Sequence, residues 1–275
     1  MASILETIAT ELIDQIKQDT LVLPSLPEVC LRVRDVAEDI ESSIPQLAQI
    51  ISQDAALAAR VIKVANSPLV RTPSEVTDLV TAVNRLGINF TSNLAMGLAM
   101  EQLFQATSDV VDRRMRSIWQ QSSEVASICH VLASHYTKLH PDQAMLAGLI
   151  HKIGALPILT YAEDNNALLN DGFALDKLIE KLHPLIGSHI LKAWRFPKEL
   201  LNVPGQYLKF DREISKVDYA DLVTVAVLQT HANSEHPYAK LDWSTIQAFD
   251  RVGLSPDMDM AEAIDIDDDI SGLLS

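Results

Sequence analysis

The residues best equipped for chemistry in this 275-residue chain are its eight histidines and the groups beside them. The run His151-Lys152-Ile153-Gly154 stands out. An imidazole followed by a carboxylate would be a metal-ligand pair, since imidazole suits a transition metal and a carboxylate supplies charge and can bridge two ions. Here the second position is Lys152. An ammonium has no lone pair and repels a cation, so a hydrolytic metal at this place would need carboxylates from elsewhere. The other histidines do not compensate. His183 and His189 are six apart, His130 and His135 five apart, and His231 and His236 fall in the loop-like stretch THANSEHP. None of these pairs has the i, i+4 spacing of a helix-borne metal clamp. Each is read more simply as a hydrogen-bonded or helix-end residue.

Other catalytic patterns are missing. The sequence has no Gly-x-Ser-x-Gly elbow and no GxxxxGK[ST] phosphate loop, and its nine glycines are scattered. Gly154 therefore reads first as a helix break or a point of close backbone approach, and second as a ligand contact. Cys30 and Cys129 lie in apolar helical patterns and are expected to be free buried thiols rather than a disulfide. Asn66 closes an apolar helix, where capping or turn hydrogen bonds explain it. Trp194, next to Arg195 and before Phe196-Pro197, is either a helix-end cover for the core or an anchor for a partner.

These residues must be positioned by helices. Apolar side chains make up 48% of the chain and aromatic ones only 5%, so aliphatic residues and alanine must fill the core. Helical spacing of Ile4, Ile8, Leu12 and Ile16 predicts a first helix over 3–18. A second is expected from near Pro27 to Ala37 and a third after Ser43, with Pro45 in its first turn. Asp54 is the expected N-cap of the next, which ends at Asn66-Ser67-Pro68. A helix opening near Thr77 should stop at Gly87, and another runs over 89–104. Further helices are expected over 111–136, 142–161, 182–194, 217–229 and 243–249. Period-two alternation never lasts long enough for a strand, which makes the chain all-α. The expected organisation is a helical lobe over 1–105, a second over 106–254 joined through a short stretch at 106–109, and an acidic, partly mobile tail over 255–275.

Charge and targeting signals narrow the class. The formal net charge is -15, which argues against neutralising a phosphate backbone. Seven acids between Asp257 and Asp269 carry part of it. Arg32, Arg34, Arg60, Lys63, Arg71 and Arg85 form the notable basic set of the first lobe, but acids intersperse them and a solvated face is expected. No uninterrupted apolar run approaches about 18 residues, and the N-terminus lacks the basic start of a secretory signal. A cytoplasmic location is expected.

The order of several segments resembles the HDOD domain, the HD-related output domain of bacterial signalling proteins. In the first half these are LPSLPEVCLRV (23–33), IPQLAQIISQDAALAARVIKVANSPL (44–69) and VTAVNRLG (80–87). In the second they are WQQSSEVASICHVLA (119–133), AMLAGLIHKIGALPIL (144–159) and HPLIGSHILKAWRFP (183–197). The resemblance implies a two-lobed helical fold whose second lobe is similar to the HD phosphohydrolase core. It also implies where the ligands of a catalytic relative would fall: at Gln121, at His151-Lys152 and near Val227, with a paired histidine near Gln206-Tyr207. Of these only His151 keeps a metal-compatible side chain. The implied reading is a pseudoenzyme: a stand-alone bacterial signal-transduction module without metal or cofactor, acting through a protein partner or a small ligand. Candidate contacts are His151, Lys152, Gly154, His183, Trp194, Asn66 and Arg85. Lys152 is expected to pair with a carboxylate of another helix in place of the metal. The alternative is a metal-dependent phosphohydrolase acting on a nucleotide.

Overall fold

The structure is a computed structural model that describes residues 4–18, 20–39, 42–67, 75–232 and 234–256. Arg71 and the acidic stretch from Asp257 onward, with the mobility expected of it, lie outside the described residues.

Among the described residues there are fifteen α-helices and no strand. They are α1 (Ile4–Lys17), α2 (Glu28–Glu38), α3 (Ile44–Ile51), α4 (Ala55–Ala65), α5 (Leu79–Leu86), α6 (Ile88–Met100), α7 (Asp109–Tyr136) and α8 (Pro141–Ile150). There follow α9 (Ala155–Glu163), α10 (Asn166–Asn170), α11 (Gly172–Ala193), α12 (Lys198–Leu201), α13 (Val203–Gln206), α14 (Tyr219–Thr230) and α15 (Gln247–Val252).

Local chemistry accounts for many of the ends. The Oδ1 of Asp54 accepts from the amides of Ala56 and Leu57, both at 3.0 Å, and so satisfies two orphan donors of α4. Asp78, one residue past Thr77, does the same for α5 through the Thr81 amide at 2.9 Å. The amide of Ser43 donates to Gln46 Oε1 at 2.7 Å, one arm of a capping box on α3. Gly87 adopts a φ of +85°, which a side chain would resist, and it turns the chain from α5 directly into α6.

The helices α2 to α6 pack on one another, and α6 then packs on α8. The long α7 lies along α8, with α14 against both. That contact is tight because small residues face each other: a methyl group on Gly148 would sit 2.4 Å from Ala126 Cα. One hydrophobic cluster runs through both halves. The joint is pinned by the Ser108 amide, which donates to Glu163 Oε1 at 2.9 Å. The stretch 141–163 is apolar enough by length and composition to cross a membrane, but 83% of its most apolar window is buried in this helical core.

Four expectations need correction. The division at 105 does not hold for α1, whose buried Ile8, Leu12 and Ile16 join the common cluster as the helix packs on α11. Tyr161 Oη adds a 3.1 Å hydrogen bond to Glu11. The helix expected over 142–161 is broken at residues 151–154 into α8 and α9. The cause is tertiary: a methyl group on Gly154 would lie 2.0 Å from the His183 carbonyl oxygen and 2.4 Å from the Gly187 nitrogen, so α11 backbone occupies that side. The helix expected over 182–194 begins ten residues earlier, at Gly172, behind the Asp171 cap, and carries Pro184 inside it. The stretch 243–249 divides into a short turn of helix at Trp243–Thr245 and α15.

Candidate functional site

The break between α8 and α9 places Lys152 in the wall of a cleft of about 500 Å³ between α7, α11, α14 and the 236–238 loop, with His151 buried next to it behind the lining residue Tyr207. His151 is buried at the end of α8. Its Nδ1 lies 2.6 Å from the Gly148 carbonyl oxygen, which fixes the proton on that nitrogen. Nε2 is left with a lone pair, buried, and without a hydrogen-bond partner. The ring of Tyr207 stands edge-on to this imidazole, centroids 5.0 Å apart.

Tyr207 occupies the place where the resemblance put a second histidine, and it is fully enclosed. Its hydroxyl lies 2.6 Å from His183 Nε2, while His183 Nδ1 lies 2.7 Å from the Ile179 carbonyl oxygen. The carbonyl can only accept, so His183 donates from Nδ1 and accepts the tyrosine proton at Nε2. Burial pulls His183 down to about 4 and drives the Tyr207 phenol well above its ordinary value. Burial, with help from the charge of Lys152, also holds His151 well below the usual imidazole range. Both histidines are neutral at pH 7.

Lys152 does not pair with a carboxylate, contrary to expectation. Its Nζ donates to Gln121 Oε1 at 3.1 Å across the α7–α8 interface. A side-chain amide is neutral and short enough to meet the ammonium without bringing a second charge out of water, whereas an ion pair there would require desolvating both partners. Burial depresses the lysine below its ordinary value. Val227, on α14, closes the same wall with an aliphatic surface.

A metal does not fit this donor set. His151 Nε2 is a free lone pair, but its neighbours at the implied ligand positions are an amide, an ammonium and an isopropyl group. Among the described residues no cluster of three histidine, cysteine or carboxylate groups could hold an ion. Nearby acids are engaged elsewhere: Asp176 pairs with Arg114, and Glu180 with Lys177 at 2.9 Å.

The cleft also contains two histidines that the sequence reading set aside as loop residues. His231 and His236 stack face to face with centroids 3.9 Å apart and a 10° interplanar angle. Tyr238 stands against both rings. The Tyr238 amide donates to His236 Nδ1 at 3.2 Å, leaving the His236 proton on Nε2. Burial, then His236, then Lys152 lower His231 to about 4. Their spacing of five signalled nothing on a helix. The loop between them makes the stack, and Pro237 was its only local sign.

The remaining candidates fall outside the cleft. Gly154 is the contact point with α11 described above. Asn66 exchanges two hydrogen bonds with the backbone of Val76, at 2.8 and 2.7 Å. Arg85 donates to the Ala65 carbonyl at 3.1 Å. Trp194 is buried, and its Nε1 donates to the Pro24 carbonyl at 2.9 Å, so it fastens the two halves together rather than offering an exposed anchor. Cys30 and Cys129 are free and buried, with Cys30 pushed up to about 12 by desolvation.

Comparison with known proteins agrees with this architecture. Residues 23–206 match the HDOD domain, so the chain belongs to the HDOD family. A Shewanella amazonensis SB2B protein provisionally named a metal-dependent phosphohydrolase superposes with a TM-score of 0.87 at 33% identity, covering 98% of this chain and 99% of that one. An HDOD domain protein of unknown function from Geobacter sulfurreducens gives 0.66 at 21% identity, covering 98% and 96%. A Marinobacter aquaeolei VT8 protein provisionally named for signal transduction gives 0.65 at 23% identity, covering 94% of this chain and 61% of that one. An uncharacterised protein of Treponema pallidum (strain Nichols) is 24% identical in an alignment of 266 positions that covers 89% of this chain and 49% of the relative. The chain thus spans about half the length of that curated relative.

Proposed function

We propose that this protein is a non-catalytic signal-transduction module of bacterial, cytoplasmic type, which binds a protein partner or a small ligand and passes on a conformational state. One observation carries the reading: the Lys152 ammonium donates to Gln121 at the place where a hydrolase of this architecture would hold its metal. A catalytic metal must be held firmly and keep an open position to lower the pKa of its water to about 7. A single imidazole beside a fixed positive charge does not meet that demand. The signalling name of the Marinobacter protein points the same way, at the level of fold.

A second reading, a metal-dependent phosphohydrolase, draws on the Shewanella relative's name and on the bare His151 Nε2. The experiment that separates them is elemental analysis of gently purified protein, together with turnover assays on nucleotides and phosphodiesters. The module reading expects far less than one metal ion per chain and no turnover. Stoichiometric metal, with turnover lost in His151→Ala, would replace it by the second reading.

A further inference from the structure

A second cleft lies on the seam between the two halves, and its lining shares no residue with the first. Its volume is about 240 Å³. Sites for drug-sized ligands run to roughly 300–1,000 Å³, so this one suits a smaller metabolite. Its walls come from α2, α6, α8 and the corner between α11 and α12.

Three charged side chains line it, and none of them has an ion-pair partner among the described residues. Arg34 uses one guanidinium nitrogen to donate to the Trp194 carbonyl at 2.6 Å, where the chain leaves α11 through Arg195 at a φ of +56°. Its other nitrogens have no partner of this kind. Glu38 is one turn further along α2. Asp142 opens α8 and accepts from the Asn93 side chain. Deeper in, Ser92 is 1% exposed, lines the cleft, and has a hydroxyl with no hydrogen-bond partner. A buried polar atom in that state costs free energy that a bound hydrogen-bonding group would recover. Met96, Leu146 and Phe196 supply an apolar surface beside it.

We propose that this cleft binds a small zwitterion, a free α-amino acid with an apolar side chain. The charges select the class. A simple carboxylate would gain Arg34 but face two acids, and a simple amine would gain the acids but face Arg34. A zwitterion satisfies both, with its carboxylate on Arg34 and its ammonium toward Glu38 and Asp142. The Ser92 hydroxyl serves either head, and the side chain lies on the apolar wall. Such a ligand touches helices from both halves at once, and it engages the guanidinium that holds the end of α11. Binding would therefore favour the arrangement in which the halves are closed on each other.

Isothermal calorimetry on the full chain tests this. The probes are valine, leucine, isoleucine, methionine and phenylalanine, with 4-methylpentanoate and 3-methylbutylamine as the leucine analogues that lack one head group. At least one amino acid should bind, and each analogue should bind at least about tenfold more weakly than leucine or not at all, the scale of one charge-assisted hydrogen bond. Ser92→Ala should weaken binding while leaving the melting temperature unchanged or higher, because it removes an unsatisfied buried group. Glu38→Gln, on an exposed position, should weaken it without unfolding. Binding that both variants leave intact, analogues that bind as well as leucine, or a cleft that takes up no amino acid and holds water alone would each overturn the proposal. Turnover assays on nucleotides run in parallel report on the other cleft, so failure of one reading leaves the other standing.

Discussion

The Nζ of Lys152 and the Oε1 of Gln121 meet at 3.1 Å, a cation satisfied by a neutral amide with no carboxylate in the arrangement. Converting Lys152→Asp removes the repelling charge but leaves Gln121 and Val227 in place. The expected outcome is no gain of phosphohydrolase activity and no stoichiometric metal uptake, read by turnover assay and elemental analysis. Activity appearing in that single variant would mean that other residues complete the site.

Acid should loosen the protein through its buried imidazoles. His183 titrates at about 4 in the fold against an ordinary value of 6.5. Its folded value is depressed, so its contribution is complete above pH 6.5 and is lost as pH falls toward 4. That one residue accounts for roughly 3 kcal/mol across the window. His151 acts in the same direction. Urea midpoints should fall between pH 6.5 and 4, and His183→Gln should show a shallower fall. An unchanged slope in that variant would remove His183 from the account.

Gly154→Ala should be among the most damaging substitutions in the chain. The added methyl group meets backbone of α11, at His183 and Gly187, rather than a side chain able to rotate away. A loss of roughly 3 kcal/mol, the upper end of what overpacking costs, is expected, measured by denaturant titration. A near-neutral result would show that α11 shifts easily.

Asp221 is fully buried and bridges two arginines, with Arg251 Nη2 at 2.8 Å and Arg212 Nη1 at 3.3 Å. Asp221→Asn would leave the poorly exposed Arg251 guanidinium without its counter-charge and Arg212 with only its second partner, Asp218. A cost of about 3–5 kcal/mol is expected in thermal or urea unfolding. A variant as stable as the parent would mean that Asp218 alone suffices for Arg212.

What could be read from the sequence divides along physical lines. Asp54, Ser43 and Gly87 act on their own neighbours, so the helix ends that they set were legible. The α8–α9 break was not, because residues 151–153 are compatible with a helix and the cause is backbone that arrives from α11. The start of α11 was hidden for the opposite reason: Pro184 signals a first turn, yet the fold carries it inside a longer helix. At the site, Gln121, His151, Lys152 and Val227 were placed together by resemblance; the fold brings Gln121, Lys152 and Val227 to one cleft with His183, and buries His151 behind Tyr207. The stack of His231 on His236 depends on loop geometry that no spacing rule encodes. The seam cleft depends on Arg34 meeting a corner 160 residues later.

That separation bears on how the chain is made. Arg34 reaches the carbonyl of Trp194, and the Trp194 indole reaches that of Pro24, 170 residues away. Ribosomes add about 5–20 residues per second, so α2 must wait roughly 10–30 s for the corner that completes its contacts. During that interval α2 to α6 can bury their apolar faces on one another and, once it has been made, on α8. The seam cannot close before the end of α11 has been made, and translation speed, as well as sequence, sets how long it stays open.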